Sequence, residues 1–118
     1  MLNDDFYEKF AYEWIEAWNS HDIERILSHY NDNFEFSSPV LAKLNPASGG
    51  RRTGKEAARD YWSKALAKWT ELYFEPVDAL KGVGSLVIYY RGLHGKLCAE
   101  FFVFGASGKV SSSHAHGA

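Results

Sequence analysis

The sequence predicts an α+β domain in which three amphipathic helices pack on a curved antiparallel sheet. Up to Trp69, apolar residues recur mainly with helical spacing. Beyond it, short runs of β-forming residues alternate with glycine-rich turns. Helices followed by an antiparallel meander are typical of an α+β fold. The 118 residues contain no internal repeat, so we expect one domain over residues 1–118.

The first two helices are predicted from apolar residues that share one helical face. Aromatic rings recur at every fourth position, at Phe6, Phe10, Trp14 and Trp18. Asn19-Ser20 interrupts this pattern, and Ser20 is a candidate cap for a second helix over residues 23–30. The simplest arrangement is therefore two helices that meet at a short polar joint.

A strand, a loop and the third helix follow. Residues 34–38 alternate as in a strand, and Pro39 is expected to end it. Residues 41–53 lack periodicity and predict a long loop, a candidate lid. Thr53-Gly54-Lys55-Glu56 matches a capping box, which predicts that a helix starts at Thr53 and continues to Trp69.

Four strand segments complete the chain. The predicted segments are residues 71–75, continued past a bulge at Pro76 to residue 80, and then residues 85–91, 96–104 and 109–116. The turns between them contain the pairs Gly82/Gly84, Gly92/Gly95 and Gly105/Gly108.

The two hairpin turns predict which side chains share a face. Arg91 opposite Lys96 places Tyr89 against Cys98, on the face of Glu100. Phe104 opposite Lys109 adds Ser113 to that face. The predicted inner face carries nine residues: Val87, Tyr89, Arg91, Cys98, Glu100, Phe102, Ser111, Ser113 and Ala115. A one-residue slip would invert this assignment.

The opposite face is also apolar, and three helices can cover only one face. An uncovered apolar sheet face usually meets a partner. We therefore expect a homodimer whose interface contains Ile88, Tyr90, Leu97, Phe101 and Val103.

Charge and cysteine content exclude several partners. The net charge of −2 and the pI near 6.2 do not favour nucleic acid. Cys98 is the only cysteine, which fits a reducing compartment. The N-terminal residues do not form a signal peptide, and no apolar run is long enough for a membrane span. We expect a cytoplasmic protein with no membrane contact.

Several short segments together resemble a known family. They are residues 14–23, 30–36, Ser38-Pro39, residues 54–57 and residues 100–110. In their order and spacing, the chain resembles the SnoaL-like branch of the nuclear transport factor 2-like superfamily. The resemblance implies a cone-shaped α+β barrel, often dimeric through the outer sheet face, with a deep pocket between helices and sheet. Members include cyclases, ketosteroid isomerases, epoxide hydrolases and non-enzymatic domains.

Ketosteroid isomerases, within this superfamily, allow a residue-by-residue comparison. Their general-base Asp corresponds to Ser38, and their oxyanion-binding Tyr on the first helix corresponds to Trp14. A supporting Tyr on the third helix corresponds to Trp62. Only the protonated Asp on the penultimate strand has a carboxyl counterpart, Glu100. A serine without an activating histidine cannot take an α-proton at neutral pH, so the resemblance does not extend to that activity.

Glu100 is the one candidate catalytic acid, because a desolvated carboxyl suits acid/base work. The alternative is a structural ion pair with Arg91. Candidate ligand-binding residues are Trp14, Trp18, Phe36, Ser38, Trp62, Tyr89, Cys98, Phe102 and Ser113. His114 and His116 point outward and lack further ligands, so we expect neither a metal nor a cofactor. Arg51 and Arg52 are either solvated or placed to neutralise an anionic ligand.

Three functions fit these features. The first is a binding protein for a small, largely apolar molecule, without the isomerase acid/base set. The second is a small-molecule enzyme that uses Glu100, of the cyclase, isomerase or hydratase type. The third is a purely dimerising domain.

Overall fold

A six-stranded curved sheet with helices against one face forms the architecture, as a computed structural model of residues 2–118 shows. This confirms the predicted α+β class. The helices are α1 (Asp4–Ser20), α2 (Ile23–Leu27), α3 (Pro39–Leu44) and α4 (Lys55–Lys68). The strands are β1 (Tyr30–Ser37), β2 (Arg51–Thr53), β3 (Glu75–Lys81), β4 (Ser85–Arg91), β5 (Leu97–Phe104) and β6 (Val110–Gly117). Within residues 2–118, no helix has the length and hydropathy needed to cross a bilayer.

The strands are arranged in the order β2-β1-β6-β5-β4-β3. All neighbours are antiparallel except β1 and β6, which run parallel. The first and last strands of the chain therefore meet in the middle of the sheet. This pairing places side chains of β1, β5 and β6 on one inner face, under the helices.

Helix α1 buries the predicted aromatic face. Asn3 caps it by accepting a hydrogen bond from Phe6 N at 2.9 Å. The helix ends at His21, whose backbone is left-handed with φ of 59°. Phe10, Trp14 and Trp18 are all buried against the sheet, as their spacing predicts.

Three boundaries differ from the sequence prediction. Asp22, not Ser20, caps α2, because the Ser20 hydroxyl donates to Ala17 O at 2.6 Å. Tyr30 opens β1 instead of ending α2. Part of the expected 41–53 loop is regular, since Pro39 starts α3 rather than only ending a strand.

The capping box predicted at the start of α4 was wrong, although the helix itself is confirmed. Thr53 belongs to β2, where it pairs with Glu35. Gly54 caps the helix with no side-chain hydrogen bond, at φ of 96°. The backbone there must leave the strand and turn sharply, and glycine tolerates such a positive φ.

The register of the first hairpin differs from the prediction by one residue. Gly92 N donates to Lys96 O at 2.8 Å, so the loop includes Lys96 and the strands pair from Arg91 and Leu97. Tyr90 therefore lies opposite Cys98, and Tyr89 lies on the outer face. One extra loop residue inverts the side-chain direction of the whole of β4.

The second hairpin differs by two residues and so keeps the predicted face. A bulge between Val103 and Phe104 places Ser113 opposite Phe102 and Ala115 opposite Glu100. The inner positions of Cys98, Glu100, Phe102 and Ser113 are therefore confirmed.

Asn19 joins the end of α1 to the segment before β3. Its side-chain amide donates to Phe74 O at 2.9 Å, and its Oδ1 accepts from Phe74 N at 2.6 Å. The His21 ring also bonds Leu72 O at 2.7 Å. These contacts hold residues 72–74 against the helix, where a strand over residues 71–75 was predicted; β3 begins only at Glu75.

We expect Asn19→Ala to lower the free energy of unfolding by about 1–3 kcal/mol, because it leaves a part-buried N–H and carbonyl of Phe74 without partners. Urea denaturation measures the change. Asn33→Ala, at an exposed position of β1, is the control and should change stability by less than about 0.5 kcal/mol. Equal effects of the two substitutions would contradict the role of Asn19.

Candidate functional site

A cavity of about 450 Å³ lies between the helices and the inner sheet face. Helices α1, α3 and α4 form one side, and strands β1, β4, β5 and β6 form the other. This volume lies within the range of small-molecule sites, roughly 300–1,000 Å³.

Aromatic rings form most of the wall. All four tryptophans of the chain, Trp14, Trp18, Trp62 and Trp69, line the cavity. The ring of Trp18 stands edge-on to that of Trp62 at 5.2 Å, and Phe74 packs on Tyr90 at 4.5 Å. Such rings offer a rigid apolar surface at little cost in conformational entropy.

Among residues 2–118, Glu100 is the one acidic residue that lines the cavity, and it is 8% exposed. The Tyr90 hydroxyl donates to its Oε1 at 3.3 Å. Within residues 2–118, its Oε2 has no hydrogen-bond partner and no cation neutralises the carboxyl. Burial raises the pKa of Glu100 to about 8, against a small opposing effect of the Tyr90 hydrogen bond. At neutral pH the group is therefore mainly an uncharged acid that can donate a hydrogen bond.

A second polar cluster surrounds the Tyr30 hydroxyl. It accepts a hydrogen bond from Trp14 Nε1 at 2.9 Å. Burial and the nearby Glu100 raise the pKa of Tyr30, which keeps its proton. Trp18 Nε1 and Ser113 Oγ are close enough to affect that pKa, yet both are buried without a hydrogen-bond partner in the described part of the chain.

Ser38 caps α3 at the cavity wall. Its Oγ accepts from Val40 N at 3.2 Å and from Leu41 N at 3.3 Å, and it lies 3.3 Å from the Tyr61 hydroxyl. Among residues 2–118, no histidine contacts this hydroxyl. Ser38 therefore has a structural role and no means of acting as a base.

The family of the chain follows from its sequence profile. The profile of the SnoaL-like domain matches residues 11–112. The chain belongs to the SnoaL-like family. No curated protein matches it.

Solved structures show the same fold. A SnoaL-like protein of unknown function from Burkholderia thailandensis is 43% identical, with a TM-score of 0.94 over 100% of this chain and 99% of that one. SalBIII, an epoxide hydrolase/cyclase-like enzyme of pyran ring formation in salinomycin, is 17% identical with a TM-score of 0.79, over 100% and 95%. A cystatin-like protein of unknown function from Methylobium petroleophilum is 18% identical with a TM-score of 0.78, over 99% and 78%. The last two share only the fold.

Most predicted ligand-binding residues of this SnoaL-like protein do line the cavity. They are Trp14, Trp18, Phe36, Ser38, Trp62, Cys98 and Ser113, together with Glu100. Burial raises the pKa of the Cys98 thiol, so it is a poor nucleophile. Phe102 is fully buried beneath Trp14, at a ring distance of 5.3 Å, and does not reach the cavity.

Tyr89 is the one predicted ligand-binding residue that lies on the wrong face. Tyr90 takes its place in the cavity, and Ile88 is buried beside it. The sequence held a signal for this: Leu86, Ile88 and Tyr90 are apolar, whereas the alternate set ends in the charged Arg91. Phe74 and Leu72 were missed as well, because their irregular segment has no periodicity.

The charged candidates lie outside the cavity. The guanidinium of Arg91 donates to Gly95 O at 3.3 Å, and Arg91 pairs with Leu97 on the outer face, so the alternative ion pair with Glu100 is wrong. Arg51 and Arg52 are exposed on β2 and do not line the cavity. Ser37 Oγ lies 2.6 Å from His114 Nδ1 on the outer face.

No metal centre is found in residues 2–118, since no three histidine, cysteine or acidic side chains converge there.

Helix α3, which lies partly in the segment predicted to be a loop, contributes directly to the site. Its residues Val40, Lys43 and Leu44 line one side of the cavity entrance.

We expect Glu100 to make stability fall as pH rises from about 4.5 to about 8. The folded state holds the proton up to about pH 8, whereas an unfolded glutamate loses it near its ordinary value of 4.5. Between these values the folded state binds more protons, so each pH unit removes up to about 1.4 kcal/mol from the free energy of unfolding. Below this window the contribution is constant.

Urea denaturation at pH 5, 6.5 and 8 measures this effect in wild type, Glu100→Gln and Glu35→Gln. The amide in the Glu100→Gln variant cannot titrate, so wild type should lose a few kcal/mol relative to that variant between pH 5 and 8. The exposed Glu35 provides the control, and its variant should follow wild type. A difference between wild type and Glu100→Gln that stays constant with pH would show that Glu100 is ionised in the folded protein.

Proposed function

We propose that the cavity binds a small, largely apolar molecule that accepts a hydrogen bond from Glu100. One observation carries this proposal: a buried carboxyl, with one oxygen free of protein partners, faces a cavity of about 450 Å³ walled by aromatic rings. The apolar part of the ligand would pack on the indoles. A carbonyl, ether or hydroxyl oxygen would meet the carboxyl.

The energetic cost of Glu100 supports a role in binding. Each unit of pKa shift corresponds to about 1.4 kcal/mol, and leucine or methionine at this position would avoid that cost. A buried polar group with an unfilled hydrogen bond is destabilising unless a ligand completes it. Stability alone therefore does not explain why a carboxyl occupies this wall.

The isomerase acid/base set is incomplete here, which favours binding over proton abstraction. Ser38 occupies the position of the base and is committed to capping α3. Trp14 donates its N–H to Tyr30, not to the cavity. Glu100, uncharged at neutral pH, is an acid and not a base in the resting protein.

We expect the saturable binding of 2-decanone to depend on an open cavity. Because all four tryptophans line the cavity, tryptophan fluorescence reports its occupancy. Ala65 lines the cavity, whereas Ala67 of the same helix is exposed. Ala65→Phe should weaken binding at least about tenfold by filling the space, and Ala67→Phe should leave it unchanged.

If Ala65→Phe and Ala67→Phe bind 2-decanone equally well, the ketone does not occupy the cavity. An absence of saturable quenching in wild type would count against a ligand site for such molecules and favour the purely dimerising alternative. Circular dichroism of each variant separates loss of binding from loss of folding.

A second candidate is an enzyme that uses Glu100 as general acid. The favouring observation is that its carboxyl is buried at the cavity wall, where burial raises its pKa to about 8. Such a group would protonate an epoxide oxygen while water attacks the carbon and the C–O bond breaks, and the proton that the attacking water loses would return to the Glu100 carboxylate. General acid catalysis typically contributes roughly 10²–10⁴-fold to a rate. The similarity in fold to SalBIII fits this chemistry without assigning it. Turnover of an epoxide such as styrene oxide that Glu100→Gln abolishes would favour this candidate over simple binding.

The outer sheet face is proposed as a homodimer interface, with a corrected set of residues. Ile88 and Tyr90, which the sequence placed there, are buried inside the domain, at 2% and 5% exposure. Leu97 and Phe101 remain exposed, at 43% and 38%, and Val103 is half-buried beside them.

We also propose a cytoplasmic location, because the unpaired Cys98 fits a reducing compartment.

We expect light scattering to give the mass of a dimer at micromolar concentration. Phe101→Lys should convert it to monomer, since a charge in the centre of an apolar interface is unpaired and desolvated. Tyr12→Lys, at a 70% exposed position of α1, should remain dimeric. A monomeric wild type would contradict the interface.

A further inference from the structure

The carboxyl of Glu100 has one oxygen that no protein group engages. The Tyr90 hydroxyl donates to Oε1 at 3.3 Å, whereas Oε2 has no hydrogen-bond partner among residues 2–118. In that part of the chain, the fully enclosed side-chain atoms without a partner are Trp18 Nε1 and Ser113 Oγ, and Oε2 is not one of them. Because Glu100 lines the cavity, Oε2 is the oxygen that a bound molecule would meet.

Within residues 2–118, no cation faces this carboxyl. Burial, together with the nearby Glu100, raises the pKa of each titratable group around it, so all of them are uncharged at neutral pH; they are Tyr30, Tyr61, Tyr90 and Cys98. On β6, Ala115 lies opposite Glu100, and His116 lies opposite Ala99 on the outer face. Lys43 and His94 belong to the cavity lining but are exposed, and neither has a resolved effect on the pKa of Glu100.

Aromatic rings surround the same part of the cavity. The Tyr90 ring packs on Phe74 at 4.5 Å and on Trp14 at 5.3 Å. Phe74, in turn, lies 5.5 Å from Trp18, and all of these residues line the cavity. The face of an aromatic ring carries partial negative charge and attracts cations, most strongly in tryptophan. A carboxyl among such rings is a combination of groups that recognises an ammonium ion.

We infer that the cavity also binds an apolar amine, whose ammonium group pairs with the ionised carboxylate of Glu100 and whose apolar body packs on the indoles. This inference shares the cavity of the proposed function and adds a cationic class of ligand to the neutral one. The ammonium N–H would donate to Oε2, and the ring of Tyr90 would lie beside the charge. Desolvation of an ammonium is costly, and the paired carboxylate and the aromatic faces offset that cost.

Binding of an ammonium changes the protonation of Glu100. With a pKa of about 8, the ionised form is disfavoured only about tenfold at pH 7. When the ammonium pairs with the carboxylate, the carboxyl proton passes to the solvent, and the ammonium keeps its own proton because alkyl amines have pKa values near about 10. Nearly one proton is therefore released for each amine bound at pH 7.

Neutral and cationic ligands should therefore respond differently to pH. An amine binds the ionised form of Glu100, so its affinity rises as pH approaches 8, by close to tenfold per pH unit below the pKa. A ketone accepts a hydrogen bond from the protonated form. Its binding releases no proton, and its affinity does not rise over the same range.

Isothermal titration calorimetry with 2-aminodecane and 2-decanone, which share one carbon skeleton, tests the inference. Titrations at pH 7 in phosphate and in HEPES measure proton release, because these buffers take up a proton with different heats. Wild type should release nearly one proton for each 2-aminodecane bound. Its affinity for the amine should rise close to tenfold per unit from about pH 6 to 7.5. Neither effect should appear with 2-decanone.

Glu100→Gln and Glu35→Gln are matched variants for this test. At pH 8, Glu100→Gln should bind 2-aminodecane at least about tenfold more weakly than wild type, without proton release, because its amide carries no charge. Glu35 is exposed and does not line the cavity, so Glu35→Gln should behave as wild type. Circular dichroism shows whether each variant is folded, and the pH dependence in wild type needs neither variant.

The outcomes separate the inference from the proposed function. If wild type binds the ketone but binds the amine without proton release, or does not bind it, the inference is overturned and the proposed function stands. Equal affinity of wild type and Glu100→Gln for the amine also overturns the inference. If wild type binds the amine with proton release but not the ketone, the inference stands and the neutral ligand is overturned. If neither probe binds, both are overturned.

Discussion

Trp14 makes the contact on which the rest of the domain depends. Its ring is 2% exposed and packs on Phe74, Tyr90 and Phe102, at centroid distances of 5.5, 5.3 and 5.3 Å. Its N–H is satisfied by Tyr30 on β1. One side chain of α1 thus touches β1, β4 and β5 and the segment before β3, which fixes the distance between helix and sheet.

At this distance between helix α1 and the sheet, the large aromatic rings leave space that the chain does not fill. Trp18 packs edge-on against Trp62 and at a tilt against Trp14, but ring shapes do not close every gap in a small core. The unfilled space becomes the cavity, and the carboxyl of Glu100 lies in its wall. The same packing that stabilises the fold therefore creates the site and raises the pKa of the carboxyl within it.

The SnoaL-like fold is shared by proteins of different activity, so function must come from the residues that face the cavity. Here those residues are mainly aromatic, and a buried carboxyl, that of Glu100, lies among them. Proton abstraction needs a base that Ser38 cannot supply. The proposed binding of a small, largely apolar molecule needs only the groups that are present, which is why the residues that line the cavity are more informative than the fold.

The sequence by itself determined helices α1, α2 and α4, most strands and the inner face of β5, because helical and alternating periodicities are local and strong. Trp14, Trp18, Trp62 and Glu100 could be assigned to the cavity on that basis together with the family resemblance. The sequence did not determine α3 and β2, which lie in or beside the segment expected to be a loop. The sequence could not show whether Tyr89 or Tyr90 faces the cavity, because one extra residue in the Gly92–Lys96 loop decides which of them faces inward. Only the tertiary structure also brought Leu72 and Phe74 to the cavity wall beside Tyr90, because residues far apart in sequence meet only after the helices and strands have packed.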